Sequence, residues 1–146
     1  MSARAAVVGT LALLTLACSS PDSPNGPSDV PGTYVLRTIE GSLLPYTVPN
    51  TVGNTVVVNS ATATLGDSGT YAVAGTGTIS GVVNTVLTDN GAWVQNGDKV
   101  NFTSEHITGA FYFARAKTDT LTLTLPGGFL NSTNGTFSLL FVRETP

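Results

Sequence analysis

Hydrophobic and polar residues alternate along most of the chain from Gly32 onward, and breakers recur every eight to twelve residues. That period of two is the pattern of half-buried β-strands, and the spacing of the breakers is that of an all-β sandwich or barrel. Thr120-Leu121-Thr122-Leu123-Thr124-Leu125 is the clearest stretch, with three Leu on one face and three Thr on the other. In Thr136–Arg143 the same rule sends Phe137, Leu139 and Phe141 inward. Phe111 and Phe113 alternate with Tyr112 and Ala114, and the Phe pair is assigned to the inside. Val56-Val57-Val58 is apolar on both faces, so one face is expected to meet a neighbouring element. No helical period is found.

The punctuation is equally legible. Gly66-Asp67-Ser68-Gly69, Asn96-Gly97-Asp98 and Lys117-Thr118-Asp119 read as tight turns, since Gly and Asn accept the backbone angles such turns need. Pro126-Gly127-Gly128 ends the Leu-Thr strand, and Asn131–Gly135 precedes the last one. Asn90-Gly91 reads as a turn dipeptide that could instead open a strand. The resulting strands lie near 33–40, 54–65, 70–79, 81–88, 91–95, 99–103, 107–116, 120–125 and 136–143, eight or nine in all. Short sequential connections favour an up-and-down meander, and closing it removes the exposed edges that invite aggregation. The expectation is therefore an all-β, small antiparallel up-and-down β-barrel of about eight strands. It requires residues 33–40 to pair with 136–143; without that pairing an immunoglobulin-like sandwich is the better account.

The N-terminal segment has a different pattern. A short head with one positive charge, Met1–Arg4, precedes an uncharged apolar run, Ala5–Ala17, too short for the roughly 20 residues of a bilayer-spanning helix. Head, apolar middle and small residue before a processing point are the parts of a secretory signal. Leu14-Thr15-Leu16-Ala17-Cys18 resembles the signal of bacterial lipoproteins, with Thr15 where that family prefers Leu. The resemblance implies a signal peptide over 1–17, cleavage before Cys18, and acylation of Cys18 by diacylglyceryl and palmitate-type chains. It also implies residence in the bacterial cell envelope. Ser19 and Ser20, in place of Asp, favour the outer membrane, with the domain facing the periplasm or the exterior. An incidental cysteine in a plain signal peptide is the alternative. Residues 18–31 are Pro- and Ser-rich with little apolar surface to offset ordering entropy, so they read as a disordered tether. The domain then spans 32–146.

Composition narrows what that domain does. Charged residues make up 10% of the 146, well under the roughly 25% usual for soluble domains. The formal net charge is −3, which rules out a basic nucleic-acid surface in practice. A single Cys excludes a disulfide framework, and a single His, His106, thins the supply of general bases. Glu105-His106 reads as an exposed turn, and the acids Glu40, Asp67, Asp89, Asp98, Glu105, Asp119 and Glu144 are assigned mostly to solvated turns. Gly75–Gly81 lacks the glycine spacing and following helix of a nucleotide loop and reads as a bulge or bend. The chain is therefore read as non-catalytic, without cofactor or metal.

Gly32-Thr33-Tyr34-Val35-Leu36, Gly41, Leu44-Pro45, Gly91-Ala92-Trp93, Gly97–Phe102, Asp119–Leu123 and Phe141-Val142-Arg143 resemble the small bacterial lipocalin-like lipoproteins. That family implies a small antiparallel barrel of uncertain ligand on secreted or lipidated chains. Larger lipocalins pack an Arg of the last strand across an aromatic of the first. Here Tyr34 and Arg143 would fill those places, with Tyr standing for the usual Trp; a solvated Arg143 is the other reading. Binding of a small apolar ligand is the first functional expectation, with Tyr34, Leu36, Tyr71, Trp93, Phe102, Phe111, Phe113, Leu121, Leu123, Phe137, Leu139 and Phe141 as barrel lining. The same side chains could simply fill the barrel, leaving a structural or interaction module of the envelope with no ligand. In that case the Thr- and Asn-rich outer face becomes the contact surface for envelope proteins or glycans.

Overall fold

The computed structural model describes residues 29–106 and 111–145. Cys18, the signal segment and most of the tether lie outside the described residues. The alternation seen in the sequence becomes ten strands: β1 (Gly32–Ile39), β2 (Ser42–Leu43), β3 (Tyr46–Thr47), β4 (Val56–Leu65), β5 (Thr70–Ile79), β6 (Val82–Asn96), β7 (Lys99–Ser104), β8 (Phe111–Lys117), β9 (Thr120–Pro126) and β10 (Thr136–Arg143). The eight longer strands follow one another antiparallel around a closed barrel. β1 closes it by pairing with β10 on one side, Tyr34 opposite Arg143, and with β4 on the other, Gly32 opposite Leu65. Every long strand thus has two neighbours.

The meander puts Asp29–Pro31, the tight turns after β4, β6 and β8, and the C-terminal residues at one end of the barrel. The other end carries the β1–β4 connection, the β5–β6 turn, Glu105-His106 and the β9–β10 connection. There β1 and β4 diverge, and the two-residue strands fill the wedge, β2 on β1 and β3 on β4. In the valine run, Val56 and Val58 face the core, and Val57 faces outward beside Thr47 of β3 in the same sheet. A 3-10 turn over Gly127–Leu130 lies across this end. It is laced to the β1–β4 connection by Val52 N–H to Asn131 O (2.9 Å), Thr133 N–H to Asn50 O (3.0 Å) and Ser132 Oγ to Pro49 O (2.7 Å). Val48 and Leu130 are buried beneath these bonds.

Two expectations about strands need correction. The segments 81–88 and 91–95 are one strand, β6, and Asn90-Gly91 lies inside it. Gly91 is paired on both sides, with Tyr71 and with Ser104, and a Cβ there would stand 2.0 Å from the Thr103 carbonyl oxygen. The glycine permits close strand approach; it does not turn the chain. β8 also runs with the opposite facing. Tyr112, Ala114 and Ala116 are buried, whereas Phe113 is 39% exposed on the outside. The reason is that Phe113 shares its face with Arg115 and Lys117, and two cations cannot be put into a dry interior without partners.

The core is made by the inward positions of all eight strands, with Phe137, Leu139 and Phe141 of β10 at 0–1% exposure. Burying each such side chain contributes on the order of 1.5–3 kcal/mol. Outward positions carry mainly Thr, Asn, Ser, Lys and Arg.

Candidate functional site

The barrel brings nine of the twelve expected lining residues into its interior: Tyr34, Leu36, Tyr71, Phe102, Leu121, Leu123, Phe137, Leu139 and Phe141 are all buried. Trp93 is half-buried against the core, its indole N–H donating to Gly66 O at 3.1 Å beside the β4–β5 turn. Phe113 points outward, against expectation, and the side chain of Phe111 lies outside the described residues.

At the end where residues 29–31 enter, Tyr34 and Arg143 meet as anticipated. The guanidinium carbon lies 4.9 Å from the Tyr34 ring centroid, Nη2 donates to Tyr34 Oη at 2.8 Å, and Nη1 donates to Pro31 O at 2.7 Å. Tyr34 Oη in turn donates to Val30 O at 2.7 Å. Arg143 is 18% exposed, so it is not a solvated terminal residue. Gly32 makes room for it: with φ of 150°, an added Cβ would sit 2.5 Å from Nη1. Burial pushes the Tyr34 phenol pKa up, with the Arg143 charge opposing.

The barrel also holds a charge that the sequence reading missed. Asp89, assigned to a solvated turn, is 5% exposed inside the wall. Once β6 is continuous, the period of two sends Leu87, Asp89 and Gly91 inward together; the Asp-Asn-Gly string concealed this by reading as a turn. Asp89 Oδ2 accepts from Tyr71 Oη and Tyr112 Oη, both at 2.6 Å, and Oδ1 accepts from Ser104 Oγ at 2.6 Å. The two phenol oxygens are 2.8 Å apart, so Tyr112 shares its one proton between the carboxylate and Tyr71. Desolvation raises the carboxyl pKa, but the bonds from Ser104, Tyr112, Tyr71 and the Asn90 backbone outweigh it and hold Asp89 below its ordinary value. Both phenols are driven upward, by burial first and then by hydrogen bonding to the carboxylate. The group is an anion with protonated hydroxyls around it.

Chemically, such a carboxylate is a poor base, since its lone pairs are taken by donors. His106 is exposed and meets the cluster through its backbone N–H to Ser104 Oγ at 3.1 Å. Among the described residues, no group of three or more His, Cys, Asp and Glu is placed to hold a metal ion. The cluster can hold strands together: Tyr71, Asp89, Ser104 and Tyr112 come from β5, β6, β7 and β8 in turn. Ring contacts add to this, Tyr71 edge-on to Phe102 at 5.0 Å and Phe102 stacked on Tyr112 at 5.2 Å.

Beside Asp89 and Tyr112 lies a cavity of about 40 Å³, walled also by Thr88 and by apolar residues such as Leu87, Leu123, Leu139 and Phe129. That is room for a few waters. Small-molecule sites run to several hundred Å³. Phe129, half-buried on the 3-10 turn, closes the cavity from the mouth, edge-on to Tyr112 at 5.5 Å.

Fold and interior together define a class: a closed eight-stranded antiparallel barrel with a small cavity beside Asp89. No protein-family model, curated protein or solved structure matches this chain.

Proposed function

We propose that this protein is a lipid-anchored, non-catalytic module of a bacterial cell envelope, acting through the outside of a filled barrel. The observation that carries the reading is the 40 Å³ interior. With so small a cavity beside Asp89, and with the lone pairs of that carboxylate taken by donors, the outer surface is the part of the described domain left for work. The resemblance of Leu14–Cys18 to lipoprotein signals and of the strand motifs to lipocalin-like lipoproteins supports the anchor and the setting. Their outer membrane is the favoured location. The Tyr34–Arg143 contact supports the lipocalin-like comparison further, since it has the form expected from it.

The test has two arms. Radiolabelled palmitate should enter the wild-type chain and not Cys18→Ala, and the variant should leave the membrane fraction; a soluble, unlabelled wild type refutes the anchor. Native mass spectrometry of protein taken from membranes without lipid extraction should show no bound small apolar molecule. Such a molecule would favour the second reading, a small apolar ligand held inside. One feature supports that second reading: Phe129 stands on a four-residue turn at the cavity wall, and moving it outward would enlarge the space.

A further inference from the structure

The outer face of β7 and β8 differs from the rest of the barrel surface. The whole chain has six Lys and Arg, and Lys99, Arg115 and Lys117 stand together here, although the net charge is −3. The register places Lys99 opposite Arg115 and Asn101 opposite Phe113. Phe113 is the most solvent-accessible aromatic ring among the described residues, at 39%. A recess of about 360 Å³ opens over it, lined by Lys99, Asn101, Thr103, Tyr112 and Phe113. Lys99 Nζ stands 5.0 Å from the Phe113 ring centroid. Arg115 is committed to Asp98 at 2.6 Å, whereas Lys99 makes no ion pair among the described residues.

We infer that this recess is a binding site for an acidic saccharide, an inference that rests on the outer-surface reading above. A sugar ring has an apolar C–H face and a rim of hydroxyls. Phe113 offers a flat apolar surface for the first, and Asn101 and Thr103 offer an amide and a hydroxyl for the second. The Lys99 ammonium, which lies over the ring in the free protein, swings off it to take the carboxylate or phosphate of the sugar, with Lys117 on the same face raising the local positive potential. A peptide strand is disfavoured because the closed ladder leaves β7 and β8 no free backbone edge to extend. An apolar lipid chain is disfavoured because it would strip water from Asn101 and Thr103 without replacing their hydrogen bonds.

The purified protein is titrated with trigalacturonate, with its fully methyl-esterified form, and with vesicles of phosphatidylglycerol, while backbone amide NMR shifts are followed. Trigalacturonate should move the amides of Lys99, Asn101, Thr103 and Phe113 saturably, and esterification should weaken binding at least about tenfold. Phe113→Ala and Lys99→Gln should each weaken it by about tenfold, and Arg37→Gln on β1 should leave it unchanged. Lys99→Gln, on the exposed face, keeps the test valid if Phe113→Ala melts early. Equal binding of the ester, or equal loss in Arg37→Gln, overturns the site. Shifts on this face with vesicles and not with trigalacturonate overturn the saccharide but leave the outer surface as the working face. An apolar molecule found inside the barrel would instead remove the outer-surface reading itself.

Discussion

Two polar clusters tie the barrel together, and they are built on opposite charges. At one end the cation Arg143 caps Tyr34 and the backbone of residues 29–31, joining the first strand to the last. In the wall the anion Asp89 gathers Tyr71, Tyr112 and Ser104, joining four consecutive strands. The Arg143 cluster still touches water, and its guanidinium can fall back on solvation if a partner is lost. The Asp89 cluster is buried with only a small cavity beside it, so its hydroxyls have little water to turn to when the carboxylate is removed. The lesson is that equal numbers of hydrogen bonds carry unequal weight: the cost of breaking them is set by what the freed groups can find instead.

Removing each ion tests that inequality. Asp89→Ala takes the carboxylate acceptor from Tyr71, Tyr112 and Ser104, of which Tyr112 can still donate to Tyr71, and at about 1–3 kcal/mol per buried hydroxyl affected it should lower the unfolding free energy by about 4 kcal/mol. Arg143→Ala loses a ring contact and bonds to groups that water can reach, and should cost about 2 kcal/mol. Urea denaturation followed by Trp93 fluorescence measures both. Equal losses would mean that burial does not set the difference.

The contrast also separates what the amino-acid pattern disclosed from what it hid. Tyr34 and Arg143 were anticipated through the lipocalin resemblance, which sets an aromatic of the first strand against an Arg of the last, and closure of the meander brings those two strands together. Asp89 was hidden because local turn chemistry in Asp89-Asn90-Gly91 outweighed the alternation of Leu87, Asp89, Gly91 and Trp93. Only the crowding of Thr103 against Gly91, a tertiary fact, reveals why that glycine is there. The facing of β8 was available in principle: Arg115 and Lys117 identify the outer face, and Phe113 lies on it. Charge decides the facing, since burying an unpaired cation costs more than exposing part of a phenyl ring. The 3-10 turn and the short β2 and β3 were out of reach, because they depend on how the barrel end splays.

Acid and alkali act on the two clusters differently. The Asp89 carboxyl titrates lower in the folded chain than in the unfolded one, so its stabilisation is complete above the ordinary carboxyl value near 3.8 and is lost as pH falls through the lower folded value. Tyr71 and Tyr112 titrate higher when folded, so their contribution is complete below about pH 10 and is lost above it, as the unfolded phenols ionise first. Phenolate absorbance of the wild type should therefore rise together with unfolding in alkali. In Asp89→Asn, which costs about 2 kcal/mol at neutral pH, the acid-side fall in stability should shrink. An unchanged acid limb would mean that Asp89 is already protonated in the folded barrel.

The smallest effect is expected one residue away from a donor to the buried carboxylate. Tyr112 and Phe113 are neighbours on β8, but Tyr112 faces the Asp89 carboxylate and Phe113 faces solvent. Phe113→Ser removes a ring that touches Lys99 on the outside and nothing in the core cluster, and Ser is tolerated on an exposed strand face. Its stability should change by about 0.5 kcal/mol or less, whereas Tyr112→Phe, a far smaller change in shape, should cost about 1–2 kcal/mol by withdrawing one donor from a buried anion. Thermal melts of the two variants side by side read this directly. If Phe113→Ser proved the more damaging, the ring would be serving the fold and the recess above it would lose its claim to be a surface kept for a ligand.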